Sequence, residues 1–175
     1  GGGAYWGTLN NCALSGNSAD YWGGGASGGT LNNCALSGNS ACEGGGGACV
    51  STLNNCIVYY NSAPNDPNYV GGDFNYSCTT PLPAGPGNFT NAPQFVNTNE
   101  WSNLCLLPSS PCINAGLNAY VTSSTDLDGN PRIVGGTVDL GAYEYNPAVW
   151  PTITAQPASR TNALGTTATF SVTAT

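Results

Sequence analysis

The side chains able to do chemistry in this chain form two groups, one periodic and one not. The periodic group is Cys12, Cys34 and Cys56, spaced 22 residues apart (12 to 34 to 56), with Cys78 one equal step further on. A cysteine can serve as a nucleophile, a metal ligand or half of a disulfide. The second group is acidic with a single cation: Asp126, Asp128, Arg132, Asp139 and Glu144. Paired carboxylates are what glycoside hydrolysis needs, and Asp126-Leu127-Asp128-Gly129 opens like a calcium loop.

Each of these chemistries lacks a part. A zinc site is disfavoured because the chain has no histidine and no C-x-x-C pair. The calcium pattern breaks at Asn130-Pro131-Arg132, which puts a cation where oxygen ligands should continue. A turn at Asp128-Gly129 with Arg132 paired to Asp139 or Glu144 is therefore the expected use, with calcium as the alternative. Polysaccharide cleavage along a groove needs two placed carboxylates, or a base for elimination. Residues 1–60 supply only Asp20 and Glu43, and no base. No catalytic residue, metal ligand or cofactor is assigned, and the chain is not expected to be an enzyme.

The elements that hold these residues follow from the repeat. Leu9-x-x-Cys12-x-Leu14-x-x-Asn17 recurs at Leu31 to Asn39 and, with Val58, at Leu53 to Asn61. A unit this short cannot bury its own apolar face, so copies must stack. Cys12 and Leu14 alternate as on a strand, with Ala13 and Ser15 on the other face. Asn10-Asn11 and Gly16-Asn17 read as corners, and Gly23 to Gly25 as a corner or a tight inner approach. The spacing fits a leucine-rich repeat, but the rest of each unit is too small and too glycine-rich for that fold's convex side. The expected fold is all-β: a right-handed parallel β-helix of about 22 residues per coil.

Equivalent residues then stack about 4.8 Å apart. Cys12, Cys34, Cys56 and Cys78 are expected to form one inward ladder, and Asn17, Asn39 and Asn61 a second. Buried free thiols are favoured over bridges between rungs, because an in-register Cβ spacing is slightly long for a disulfide. Cys42 with Cys49, and Cys105 with Cys112, each flank a short loop and are candidate local disulfides. Residues 1–116 are read as coils, 117–146 as a closing segment and 147–175 as linker and tail. Phe89, Phe95, Val96 and Trp101 are expected to cover the last coils.

Coils of the form GGTLNNCALSGNSA, together with SPCINAG (110–116), DLDGNPR (126–132) and VDLGAYEY (138–145), resemble the choice-of-anchor Q domain family over about residues 1–146. The resemblance implies a bacterial, secreted or surface-attached β-helix, similar in shape to pectate lyases. It carries no uniform activity and no catalytic residue. From Pro147 onward, the run Trp150-Pro151-Thr152-Ile153-Thr154 and the alternation of Ala168, Phe170, Val172 and Ala174 resemble the opening strands of a bacterial immunoglobulin-like domain. The chain is too short there for a complete sandwich.

A net charge of −7 with two Lys+Arg argues against nucleic acid and anionic membrane surfaces. No apolar run is long enough for membrane insertion. The chain opens in mid-repeat without Met, so it reads as a processed protein or a piece of a longer one. Eight cysteines and scarce lysine suggest an extracellular or cell-surface setting. Tyr5, Trp6, Tyr21 and Trp22 all belong to the first coil, as a self-association surface or a stacking platform for sugar rings. The expected function is a structural module assembling head to tail into a filament, through its open first coil and C-terminal strand. A carbohydrate-binding or lyase-like module, with cell-surface glycans as partner, is the alternative.

Overall fold

The computed structural model describes residues 1–97, 103–147, 153–155, 157–159 and 161–174. Trp101, Trp150, Pro151 and Thr152 lie outside them. Coil one consists of β1 (Ala4–Tyr5), β2 (Thr8–Asn10), β3 (Ala13–Ser15) and β4 (Ser18–Ala19). Coil two repeats them as β5 (Ala26–Ser27), β6 (Thr30–Asn32), β7 (Ala35–Ser37) and β8 (Ser40–Ala41). Coil three has β9 (Ala48–Cys49), β10 (Thr52–Asn54) and β11 (Ile57–Val58), and coil four β12 (Tyr69–Val70), β13 (Asp73–Asn75) and β14 (Cys78–Thr79). Like strands stack into three parallel 4-stranded sheets and one 2-stranded sheet, so the chain is a parallel β-solenoid.

Corners close because each coil places a residue in the left-handed region. Asn11, Asn33 and Asn55 have φ near +50°, a conformation that asparagine tolerates better than most residues. The glycine triplets answer to a tight inner approach. A Cβ on Gly25 or Gly47 would meet the Asn39 or Asn61 amide within 3.2 Å, and one on Gly24 or Gly46 the Ser40 or Ser62 carbonyl. The inner core is a column of Leu14, Leu31, Leu36, Leu53, Val58 and Phe74 with Cys34 and Cys56.

The outer face of the third sheet is also buried. Ala35, Ile57 and Cys78 pack there with Leu140, Ala142 and Cys112 of the closing segment, forming a second core. That segment is a strap along the side of the column. Asn55 exchanges hydrogen bonds with the Leu117 backbone, Asn33 donates to the Tyr120 carbonyl and Asn11 to that of Thr125. A hairpin of β15 (Phe95–Asn97) and β16 (Asn103–Leu106) adds Phe95, Leu104 and Leu106 to the second core. In coil four, the edges of β13 and β14 are roofed by 86–89: the Tyr76 amide donates to the Pro86 carbonyl, and that of Thr79 to Phe89.

Residues 146–175 form a separate unit, in which β17 (Ile153–Ala155) pairs antiparallel with β18 (Thr173–Ala174). The strand expected across 168–174 is only the two residues of β18. A strand needs a hydrogen-bonded neighbour, and Ala168, Phe170 and Val172 pair with no strand among the described residues of this unit and are exposed.

Candidate functional site: the ladders, the strap and the coil-one edge

The two ladders differ in where they end. Asn17 Nδ2 donates to Asn39 Oδ1 and Asn39 Nδ2 to Asn61 Oδ1, both at 2.9 Å, while Asn39 also donates to the Leu14 carbonyl. In coil four the ladder is capped by Asn68, whose Oδ1 accepts from Asn61. Asn68 stands where earlier coils have Gly25 and Gly47. A further asparagine ladder, from Asn75 through Asn54 and Asn32 to Asn10, runs along the second sheet, with each amide donating to the preceding coil.

The thiols of Cys12, Cys34 and Cys56 stack and donate to the carbonyls of Asn10, Asn32 and Asn54. Hydrogen bonding to Cys34, then burial, pushes the Cys12 thiol up, which makes it a poor nucleophile. Cys78 is not the fourth rung. The step into coil four is 21 residues, so Cys78 pairs with Ile57 and faces outward. Ser77 takes the rung instead: its Oγ accepts from the Cys56 amide and donates toward the Leu53 and Asn75 carbonyls.

The two local disulfides are not formed, and all eight cysteines are free. Cys42 is exposed at a corner while Cys49 is buried in β9, so the short loop between them separates the thiols. Cys105 faces Asp128, and Cys112 is buried in the second core. Burial, then Asp128, pushes the Cys105 thiol up to about 11.

The acidic group divides its labour. Arg132, 1% exposed, donates to Glu144 Oε2 at 3.1 Å and to the carbonyls of Asp139 and Gly141. Glu144 also accepts from the Val134 and Asp139 amides. Asp139 does not pair with Arg132 through its carboxylate, which instead accepts the Asn114 and Tyr145 amides. Asp126 accepts the amides of Asp128, Asn130 and Glu144, and so closes the DLDGN turn. Asp128 is exposed and joins no ion pair among the described residues. Burial pushes the Glu144 carboxyl up to about 7 against the pull of its amide donors and Arg132. Burial lowers Arg132 and raises Asp139. No group of three potential metal ligands occurs among the described residues.

The aromatic residues of coil one do not make one platform. Tyr5 and Trp6 meet edge to face at 6.5 Å and 85°, which leaves no flat surface. Trp6 sits in a left-handed corner at φ 54, with its ring over Gly28 of the next coil, and Trp22 covers Gly44 in the same way. Both rings remain partly open, Trp6 at 63% and Trp22 at 40%. Trp22, Tyr21 and Asp20 instead line a hollow of about 400 Å³ with Ser18, Gly1 and Gly2.

Beside it, β1, β2 and β3 stand at the ends of their sheets. In coil two the amides of Thr30, Ala35 and Ser40 and the carbonyls of Gly25 and Ser27 bond to coil one. Their equivalents, the amides of Thr8, Ala13 and Ser18 and the carbonyls of Gly3 and Tyr5, face no strand among the described residues. The sequence signals the aromatics and ladders. It does not signal Ser77, Asn68 or the Asn11, Asn33 and Asn55 row as strap anchors. No family model, curated protein or solved structure matches the chain.

Proposed function

We propose that this chain is a non-catalytic structural solenoid module of a secreted or cell-surface protein, which self-associates through its coil-one edge. One observation carries the reading: the edge presents the same backbone donors and acceptors that bind every internal coil to its neighbour. Tyr5 and Tyr21 flank it, both exposed. The charged side chains that the fold buries, Asp126, Arg132, Asp139 and Glu144, are spent on one another and on strap backbone, which supports a role without catalysis. The outer-cell setting rests on the family resemblance and on a cysteine-rich, lysine-poor composition.

The coil-four edges of the second and third sheets are roofed, so column-on-column stacking head to tail meets a covered face. The strand donor in this reading is the tail of a second copy: Ala168, Phe170 and Val172 alternate with Ser and Thr and are exposed. Donation of this kind does not close and propagates as a filament. Negative-stain microscopy and sedimentation of the full chain test it, with concentration-dependent filaments expected. Dispersed monomers at high concentration would overturn self-association. Unchanged assembly of a chain ending at Tyr145 would overturn the tail's part.

The hollow beside Trp22 favours a second reading, a sugar subsite, since an aromatic face next to a carboxylate suits a pyranose. Here a glycan array should show binding that Trp22→Ala abolishes, and an array blank for the unaltered chain would dismiss it.

A further inference from the structure

Coil four enters its first sheet differently from the coils before it. At this corner coil two has Gly23-Gly24 and coil three Gly45-Gly46, with Gly23 at φ +69 and Gly45 at φ +59. A Cβ on Gly23 or Gly45 would run into the Ala26 or Ala48 carbonyl oxygen. The bridges from Trp22 to Gly44 and from Gly44 to Asn65 put Asp66-Pro67 in the same place in coil four. Asp66 therefore carries a side chain at φ +47, where its counterparts are glycine. The residue before a proline also favours extended backbone, so two preferences are overridden at once. Breaking the Asp66–Pro67 bond releases that strain.

It is also the one Asp-Pro bond in the sequence. An aspartyl carboxyl can close onto its own main-chain carbonyl carbon, with the nitrogen of the proline tertiary amide as leaving group. The Gly45 amide donates to the Asp66 carbonyl oxygen at 2.9 Å, which polarises that carbonyl and stabilises the charge that develops on it under attack. Asp66 is exposed and joins no ion pair among the described residues, so water reaches it and no cation holds its carboxyl.

We propose that the chain cleaves itself between Asp66 and Pro67, with the Asp66 carboxyl as nucleophile. One oxygen of the protonated carboxyl bonds to the Asp66 carbonyl carbon. The carbon–nitrogen bond to Pro67 then breaks, and the carboxyl proton passes to the proline nitrogen. The cyclic anhydride left on Asp66 takes up one water and opens to two carboxyl groups. The net change is hydrolysis of one peptide bond, with water as co-reactant. Each chain reacts once, on itself, and the step is independent of association at coil one. The cut separates coils one to three from coil four and the strap in covalent terms only. Pairing of β9 with β12, β10 with β13 and β11 with β14, and the bonds between Asn61 and Asn68, still span it.

The test is incubation of the full chain in mildly acidic buffer, folded in one arm and unfolded by urea in the other. Mass spectrometry under denaturing conditions is the readout. Fragments 1–66 and 67–175, together one water heavier than the intact chain, are expected. The folded arm should form them at least about tenfold faster, because only the folded chain has the strained corner and the Gly45 donor. Equal or faster cleavage in urea, or no cleavage of this bond in the folded arm, would overturn the proposal. Asp66→Gly restores the residue of coils two and three, so this variant should fold and stay intact. Its cleavage before Pro67 at the unaltered rate would overturn the part given to the Asp66 carboxyl.

Discussion

The column and the strap bury polar groups by opposite means. In the column the same side chain meets itself on the next coil, as Asn17, Asn39 and Asn61 do, so the Asn39 amide donates to one copy and accepts from another. The arrangement is redundant, because losing one rung leaves the remaining contacts in kind. In the strap the polar groups meet partners unlike themselves: Arg132 binds Glu144, Asp126 takes the Glu144 amide and Asp139 the Tyr145 amide. Stacking identical residues makes stability a sum over rungs, whereas a heterogeneous network concentrates it in one or two side chains.

The largest effect that this contrast leads us to expect is at Arg132. Arg132→Met should leave Glu144 buried without its cation and cost about 3–5 kcal/mol in chemical denaturation, with early release of the strap. A loss below about 1 kcal/mol would mean that amide donors alone carry the strap. Next is Asn39→Ala, which strands the Leu14 carbonyl and both ladder neighbours and should cost about 2–3 kcal/mol. Asn17→Ala, on a rung with one ladder neighbour among the described residues, should cost about 1 kcal/mol or less. Equal losses at the two sites would break the picture of stability summed over rungs.

Smaller is the effect of Gly28→Ala. Gly28 has φ +71, and an added Cβ would lie 2.8 Å from the Trp6 ring, so about 1–2 kcal/mol should be lost. Removing the ring with Trp6→Ala should recover the steric part and leave the backbone part. Smallest is the response to pH. Burial raises the folded Glu144 and Asp139 carboxyls above their unfolded values, so the folded state binds protons more tightly. The Glu144 contribution to stability is then complete below about pH 4.5 and is lost as pH rises through about 7, and Asp139 acts in the same direction. The melting midpoint should decline between about pH 5 and pH 8. A rise over that range would show Arg132 and the amide donors outweighing burial, with both carboxyls held ionised.

The legible part of the fold was the part that repeats. Period, parallel stacking and the left-handed corners follow from identical residues 22 apart, because identical neighbours must occupy identical environments. What was hidden depends on a single missing residue and on contacts distant in sequence. One residue fewer in the step to coil four turns Cys78 from the inner face to the outer and puts Ser77 in its place, since side chains alternate along a strand. No spacing reveals that slip, as Cys78 still falls on the period when counted from Cys56. Likewise Ala13 and Ala35 look like solvent-facing small residues until a strap encoded about 100 residues later covers that sheet face. Arg132 was visible as the lone cation of its motif, but its carboxylate partner was left open between Asp139 and Glu144.

The strap also has a bearing on how such a chain changes in evolution. Tandem duplication is the natural way for a 22-residue unit to gain copies, and the column alone would accept one anywhere. The strap counts: Leu117, Tyr120 and Thr125 each meet one asparagine, on coils three, two and one in turn. A unit duplicated between those coils would bring an asparagine and an apolar patch with no strap residue to receive them. Copy number is therefore locked between coil one and coil three, while the side of coil one beyond Thr125 is the place where the repeat is free to multiply.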